Sequence, residues 1–329
     1  MDKVASWQAT RYFSAIVSIL FCFWATSATS VQAAQKNRFP VKTIKVIIPQ
    51  SPGGAADAVP RGFVRYLAKI LGVDILIENV PGAGGKIGLS KCWKAPPDGY
   101  TLLYHGIPQS IVNEHIFKSE FQTRGFAHVF GLSRSNMILL VHPDNWKTMD
   151  EFLRYAREKT LSGGVPAPGS TSHINGLVSV DKLGMKVNWV PYENSGDVLA
   201  GVAGKHLDFG IIGIDSAPPM VNAGKLRPLM VYSQGPDPIF PEVPYPEKLG
   251  YNMPTMGMIR GFVAPPKTPA ELVKVLGDGM LKTTADQDFM AWAKKLQLSI
   301  TPLDGRNYLS ETEKQYALLE PYKKLFKTQ

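Results

Sequence analysis

Residues 49–57 read PQSPGGAAD, and this stretch decides the fold because a strand ends where it begins and a helix starts inside it. Before it, Ile44–Ile48 is a short, β-branched apolar run of the kind that forms a buried strand. After it, apolar residues recur at helical spacing from position 59 to position 71, and Gly72 stands where a helix C-terminal glycine belongs. The sequence therefore predicts a strand, a glycine-rich turn and a helix start in immediate succession.

This turn is a candidate anion seat. Gly53 and Gly54 allow backbone to approach a ligand closely, and the free N–H groups of a first helical turn carry partial positive charge. An ordinary tight turn between a strand and a helix explains the same residues equally well. These positions alone leave both interpretations open.

The first 33 residues have the pattern of a cleaved secretory signal. Lys3 and Arg11 precede an apolar run at positions 12–24, and small residues around Ala33 suit a signal peptidase. We therefore expect export to the periplasm. Without the signal, Cys92 is the only cysteine, so an internal disulfide is not expected.

Composition bounds the class of protein. The chain has 329 residues, with 44 % hydrophobic, 19 % charged and a formal net charge of +9, which suits a globular protein of two domains that attracts anions. Lys and Arg are scattered, and no basic run has interleaved aromatic residues, so we expect no nucleic-acid partner.

The next part of the chain repeats the strand–helix alternation of a parallel sheet covered by helices. Residues 74–78 predict a strand, 79–85 a turn, 86–94 a helix and 100–104 another strand. Residues 82–87 lack the third glycine of a dinucleotide fingerprint, and Ile87 follows Lys86 where a P-loop needs Ser or Thr. Neither nucleotide motif is present.

Three motifs in order, at 52–61, 78–88 and 95–102, resemble those of the Bug-type extracytoplasmic solute receptors of tripartite tricarboxylate transporters. The likeness continues at positions 169–173, 190–192, 200–208, 223–227 and 261–265. The resemblance implies an α/β, periplasmic binding protein-like fold of type II character, with two lobes flanking a ligand cleft. It also implies a small mono- or dicarboxylate ligand and delivery to large and small membrane subunits, without a cofactor.

By analogy with that family, the chain crosses between domains twice. We expect a discontinuous first domain of residues 34–134 and 233–329, and a second domain of residues 135–232. We also expect a monomer.

The second half contains another helix start preceded by glycine. Ser170, Thr171 and Ser172 suit N-capping, and Gly169 precedes them. The resemblance implies that this helix end and the one after residue 53 face each other across the cleft and each take a carboxylate. Plain capping explains the hydroxyl residues too, and His173 fits a satisfied structural histidine equally well.

Departures from the family pattern bear on specificity. Members usually have an aromatic residue where Gln50 stands, lysine where Glu193 stands, and aromatic or apolar residues around Ile259 and Arg260. If Gln50, Ser51 and Arg260 line the cleft, the pocket is unusually polar and Arg260 can fork onto a carboxylate. Glu193 would instead oppose a fully anionic ligand or recognise an ammonium or hydroxyl group. Solvated rim charges explain Arg260 and Glu193 at least as well.

We expect the first-lobe turn to supply backbone donors and Asp57 to hold the helix start or an ordered water. The complete set of candidate ligand-binding residues is Gln50, Ser51, Gly53, Gly54, Ala55, Ala56, Asp57, His105, Gly169, Ser170, Thr171, Ser172, His173, Asp215 and Arg260.

Two other classes of function are an exported enzyme and a ligand-sensing receptor. The chain has no Gly-x-Ser-x-Gly or His-Glu-x-x-His motif, and its six histidines lack metal-ligand spacing, so we expect no catalytic residues and no metal site. A receptor that reports its ligand to a membrane sensor kinase would have the same fold and cleft. Only the membrane partner distinguishes it from a transport receptor.

Overall fold

The computed structural model describes residues 39–53, 55–296 and 298–326, without the side chains of 55, 56, 325 and 326. Two compact units divide the chain. Of the first, only residues 39–41 are described, and they have no helix or strand. The second begins at Lys42 and contains every element given below. The predicted signal, residues 1–33, lies outside the described residues.

Two mixed sheets form the framework. The first has the order β11-β4-β10-β3-β1-β2, from strands β1 (Ile44–Ile48), β2 (Ile75–Asn79), β3 (Thr101–Ile107), β4 (Ala127–Ser135), β10 (Met258–Ala264) and β11 (Ile300–Asp304). The second has the order β7-β6-β8-β5-β9, from β5 (Met137–Val141), β6 (Leu161–Pro166), β7 (Val187–Tyr192), β8 (Phe209–Gly213) and β9 (Arg227–Tyr232).

In the first sheet, β1 pairs in parallel with β2 and β3, whereas β10 is antiparallel to β3 and β4. In the second sheet, β6 is parallel to β7 and β8, whereas β5 is antiparallel to β8 and β9.

Helices connect these strands. They are α1 (Ala55–Leu71), α2 (Lys86–Trp93), α3 (Gln109–Ile116), α4 (Met149–Glu158), α5 (Thr171–Leu183), α6 (Ser195–Ala203), α7 (Pro218–Asn222), α8 (Ala270–Thr284), α9 (Gln287–Lys295) and α10 (Gly305–Leu319). Several begin where a side-chain oxygen accepts a first-turn N–H, which satisfies a donor that the helix itself leaves without an acceptor. The capping residues are Thr148, Ser170, Asn194, Asp286 and Asp304.

Strand β5 shows how the second sheet is covered on both faces. Met137, Leu139 and Val141 belong to one apolar cluster, while Ile138 and Leu140 belong to another. All five side chains are at most 1 % exposed. Because side chains alternate along a strand, each cluster takes one face of β5.

Strand β6 forms from a segment whose glycine content favours a loop. Gly163 and Gly164 lie inside it, although glycine weakens strands. A Cβ on Gly163 would lie 2.6–2.8 Å from the side chains of Phe209, Trp189 and Val187. The glycine is therefore required by the large side chains that pack on this strand.

The connection from β4 to β5 is a single residue, Asn136, and it joins the two sheets. Its amide Nδ2 donates to Asp237 at 2.8 Å, and its carbonyl accepts from the N–H of Ile214 at 2.9 Å. The first crossing between the sheets is thus held by contacts with two separate segments on the side of the second sheet.

Residues 233–256 pack with elements of the second sheet. Phe240 and Val243 share the cluster of Ile138, and the Tyr251 hydroxyl donates to Asp150 at 3.1 Å. Strand β10 then enters the first sheet at Met258. The domain boundaries predicted above stay a prediction, and these contacts favour a second crossing near position 257 rather than 233.

Candidate functional site

The carboxyl-terminal edges of the two sheets meet at the Asn136 connection. Ser135, at the end of β4, pairs with Met258, and the neighbouring Ile259 pairs with Ile107 at the end of β3. On the other side, Met137 pairs with Gly213 at the end of β8. Ligands of open α/β sheets bind outside the carboxyl ends of the strands. This region is therefore the candidate site.

Asp57 organises the turn after β1. Its Oδ2 accepts from the Gly53 N–H at 3.1 Å and from Arg61 Nε at 2.8 Å, and its Oδ1 accepts from Asn79 Nδ2 at 2.8 Å. Asn79 also donates to the Gln50 carbonyl at 3.0 Å. The carboxylate therefore ties the turn, the first helix and the end of β2 together.

The environment of Asp57 keeps it ionised. Burial acts to raise its pKa, but hydrogen bonds from Arg61, Asn79 and Gly53 outweigh burial and hold the pKa below its ordinary value. The side chain belongs to a residue only 4 % exposed. Because both carboxylate oxygens already accept hydrogen bonds from the protein, Asp57 holds the turn in place and does not contact a ligand carboxylate.

The turn itself is open. Ser51, Pro52 and Gly53 are exposed, and Gln50 is half-buried. Gly53 has φ +95°, a left-handed conformation that favours glycine. Gly54 lies outside the described residues. Ala55 and Ala56 form the first turn of α1, where backbone N–H groups have no intrahelical acceptor.

The start of α5 has a similar arrangement in the second sheet. The Ser170 hydroxyl accepts the His173 N–H at 3.2 Å, and the Gly169 N–H donates to His173 Nδ1 at 3.0 Å. The N–H groups of Thr171 and Ser172 lie in the first helical turn and therefore have no intrahelical acceptor. The helix start thus offers backbone donors, as α1 does.

Two buried polar atoms at this helix start lack partners among the described residues: Thr171 Oγ1 and His173 Nε2. Thr171 is 2 % exposed and His173 is 3 % exposed. Since Nδ1 of His173 accepts a hydrogen bond, the neutral ring carries its proton on Nε2. Ser172 differs, because its hydroxyl donates to Met137 Sδ at 3.3 Å.

The ring of His173 packs edge-on against Trp189, with centroids 5.5 Å apart. Burial lowers its pKa to about 4, so the ring is neutral at neutral pH. It therefore offers a hydrogen-bond donor without a charge.

Both ring nitrogens of the buried His105 lie within hydrogen-bond distance of protein partners. The Ser110 hydroxyl donates to the Gly106 carbonyl, so its oxygen accepts from His105 Nδ1 at 3.0 Å. The other ring nitrogen, Nε2, lies 3.2 Å from the Tyr308 hydroxyl. Burial, together with the nearby His128, lowers the pKa of His105 to about 3. We therefore leave His105 out of the proposed ligand set.

Asp215 and Arg260 approach each other where the sheets meet. Asp215 Oδ2 lies 3.6 Å from Arg260 Nη1, and Asp215 Oδ1 accepts from the Ser135 hydroxyl at 2.8 Å. Both charged side chains are mostly buried. Glu193, by contrast, is exposed before the start of α6.

The sequence model of the family described as "Tripartite tricarboxylate transporter family receptor" matches residues 59–310. The chain belongs to this family. A UPF0065 protein from the gbd 5' region of Cupriavidus necator is 26 % identical over 325 residues, covering 94 % of this chain and 97 % of that protein. The family resemblance is therefore confirmed.

Solved structures have the fold of this receptor. An R. palustris protein solved with adipate has a TM-score of 0.78 at 22 % identity, over 88 % of this chain and 98 % of that one. MatC from Rhodopseudomonas palustris, solved with bound malate, has a TM-score of 0.75 at 24 % identity, over 88 % and 100 % of the two chains. The expectation of two α/β lobes is confirmed.

The receptors of this family are periplasmic solute-binding proteins and are not enzymes. Within residues 39–53, 55–296 and 298–326, no helix is long and apolar enough to cross a membrane. The same part of the chain contains no group of three or more His, Cys, Asp or Glu residues that could hold a metal ion.

Three residues of the receptor's candidate site were missed from the sequence: Asn79, Ser135 and Asn136. Asn79 and Ser135 are the last residues of strands, and Asn136 follows directly. A polar residue that ends an otherwise apolar strand is a usable signal, because the carboxyl edge is where α/β proteins bind ligands.

Proposed function

We propose that this chain is a periplasmic solute-binding protein that captures a small mono- or dicarboxylate between its two lobes. The first turns of α1 and α5 supply backbone N–H donors, and Thr171 and His173 add side-chain donors. Closure on the ligand is the functional step, because a ligand that contacts both lobes favours the form in which they are together.

The observation that carries this proposal is the pair of unpartnered donors at the start of α5. A buried hydroxyl and a buried imidazole N–H without acceptors cost free energy unless a ligand or water satisfies them. They stand beside N–H groups at the positive end of a helix, which is an environment suited to an anion. A carboxylate bound at this helix start would accept hydrogen bonds from donors of this kind.

The comparisons support a carboxylate in particular. Two structural neighbours were solved with adipate and with malate, and the family is named for a tricarboxylate transporter. We propose that this receptor delivers its ligand, as a monomer, to the large and small membrane subunits of such a transporter. We further propose that residues 1–33 are a cleaved signal and that the chain crosses between the lobes at Asn136 and again near position 257, which is later than the predicted second crossing at 233.

The direct test is a thermal-shift and calorimetric screen of the mature protein, from Ala34 onward, against mono- and dicarboxylates, amino acids and neutral sugars. A ligand at about 100 times its dissociation constant should raise stability by about 2.7 kcal/mol. Binding confined to carboxylates supports the proposal. Binding confined to neutral or cationic compounds would overturn it.

Thr171→Val separates ligand binding from folding. The replacement removes a hydroxyl that has no partner within the described chain, so we expect unchanged or slightly higher stability and about 10-fold or greater loss of carboxylate affinity. Thr301→Val, at an exposed position of β11, is the matched control and should alter neither. Full affinity in Thr171→Val would remove Thr171 from the site.

Uptake into vesicles that contain both membrane subunits tests the transport role. Uptake of the identified carboxylate should require the receptor. Receptor-independent uptake would contradict the assignment of the partner.

A further inference from the structure

Arg260 lies at the carboxyl edge of the first sheet. In β10 it pairs with Gly106 near the end of β3 and with Ser133 near the end of β4. The turn that begins α1 follows β1 at this same edge, because β1 and β3 are parallel. Arg260 therefore shares an edge with the donors proposed for the first lobe.

Asp215 comes from the other sheet. It lies in a short 3-10 helix, Ile214–Ser216, directly after β8. The Ser135 hydroxyl fixes its Oδ1, so that its Oδ2 faces the guanidinium of Arg260. The ion pair thus joins an element of one lobe to an element of the other.

The ion pair is a loose one. At 3.6 Å its N···O separation exceeds hydrogen-bond distance, and no hydrogen bond from the guanidinium is found within the described residues. The Arg260 side chain is nevertheless only 17 % exposed. A guanidinium carries five donors in a planar fork that matches a carboxylate, so most of its donors are left without an acceptor.

We propose that Arg260 binds the second carboxylate of a dicarboxylate, and that Asp215 is the internal competitor which a ligand must displace from it. This inference rests on the proposed function, in which the first carboxylate is held at the helix starts. A monocarboxylate leaves the Asp215–Arg260 pair in place, whereas a dicarboxylate replaces a loose contact with a charge-assisted one.

Asp215 acts on specificity in the opposite direction. Its fixed negative charge opposes any anion that cannot form a bidentate contact with Arg260 strong enough to displace it. Discrimination between a second carboxylate and an uncharged group of the same size therefore comes from the guanidinium fork of Arg260, and Asp215 reduces it. The preferred ligand class is a dicarboxylate.

The experiment measures dissociation constants by calorimetry for succinate, glutarate and adipate, each beside its monoamide. The wild-type protein should prefer at least one diacid over its own monoamide. Arg260→Met should weaken binding of that diacid by about 10- to 100-fold and leave the monoamide nearly unchanged, which removes the preference. Asp215→Asn should strengthen diacid binding.

Arg134→Met is the matched control. Arg134 lies in β4 beside Ser133, and it pairs with Glu311 at 2.6 Å with 47 % of its side chain exposed. Its replacement should alter neither affinity. Arg260→Lys, which retains charge without the fork, should give an intermediate loss and guards against misfolding of Arg260→Met.

An unchanged diacid-to-monoamide ratio in Arg260→Met and Arg260→Lys would overturn the inference while the proposed function stands. Weaker diacid binding by Asp215→Asn would also overturn it, because Asp215 would then contact the ligand. If the wild-type protein bound neither diacids nor monoamides but bound neutral or cationic compounds, the proposed function itself would fail.

Discussion

The side chain of Asn175 in α5 makes two hydrogen bonds with the backbone of Met256, just before β10. Asn175 Nδ2 donates to the Met256 carbonyl at 2.8 Å, and Oδ1 accepts the Met256 N–H at 3.1 Å. Asn175 is fully buried. This pair of bonds fixes the returning segment on the helix whose start is the candidate anion site.

Asn175→Ala should destabilise the protein by about 2–4 kcal/mol, because it leaves a buried N–H and carbonyl of Met256 without partners. Urea denaturation measures the change. Asn145→Ala, at an exposed position, is the control and should stay within about 0.5 kcal/mol of wild type. Equal midpoints for the two variants would show that the segment is held by other contacts.

Asp57→Asn should cost about 1–3 kcal/mol at pH 7, since the amide cannot accept from Gly53, Arg61 and Asn79 together. The folded-state pKa is depressed, so this contribution is present above the ordinary value of 3.8 and is lost as pH falls through the folded-state pKa. The difference from wild type should therefore narrow in acid. Asp278→Asn, at an exposed helix position, provides the comparison.

Gly163→Ala should destabilise by about 1–3 kcal/mol, because its new methyl group would meet Phe209, Trp189 and Val187 in a packed core. Trp189 also packs on His173, so carboxylate affinity should fall as well. Gly235→Ala has open space around the added carbon and serves as the control. Thermal unfolding and calorimetry give the two readouts.

Three buried histidines predict acid sensitivity. Burial is the main cause that lowers the pKa of His105 to about 3, and of His128 and His173 to about 4. The unfolded chain binds protons below about 6.5 while the folded chain does not, so stability should fall as pH drops from about 6.5 toward 4.

The free energy of unfolding, measured by urea denaturation between pH 7 and pH 4.5, should decrease as the pH is lowered. The slope of the unfolding free energy against pH reports how many protons are taken up on unfolding. His128→Gln should reduce that number by about one, whatever its effect on stability at pH 7. His206→Gln, at an exposed position, serves for comparison. The same slope in the wild-type protein and in His128→Gln would contradict a lowered pKa for His128 in the folded state.

The sequence was most informative where local pattern and tertiary structure agree. The sequence predicts the strand, turn and helix around Gly53 because an apolar run, a glycine-rich turn and residues with helical periodicity follow one another there. Strand β6 was missed because Gly163 has low strand propensity, and its place depends on distant side chains such as Phe209. The second crossing near position 233 stays a prediction, and the contacts of Phe240 favour a later one. Loop composition alone does not show which core a segment covers.

In the candidate site too, some features follow from local sequence and others only from tertiary structure. Backbone donors at Thr171 follow from a capping pattern that is visible in the sequence. The Asp215–Arg260 pair does not, because the two residues are brought together only by the crossing between sheets. His105 stays a prediction as a ligand residue, and its partners Ser110 and Tyr308, which the sequence does not reveal, favour a structural role.

The single residue Asn136 between β4 and β5 determines which side chains of β5 point to each face of the second sheet. If β4 and β5 keep their pleats, adding a single residue there would exchange the faces of β5, sending Ile138 and Leu140 where Met137, Leu139 and Val141 now pack. Adding two residues would restore the faces. An engineered linker at this position must therefore be lengthened by an even number of residues if each side chain of β5 is to keep its face.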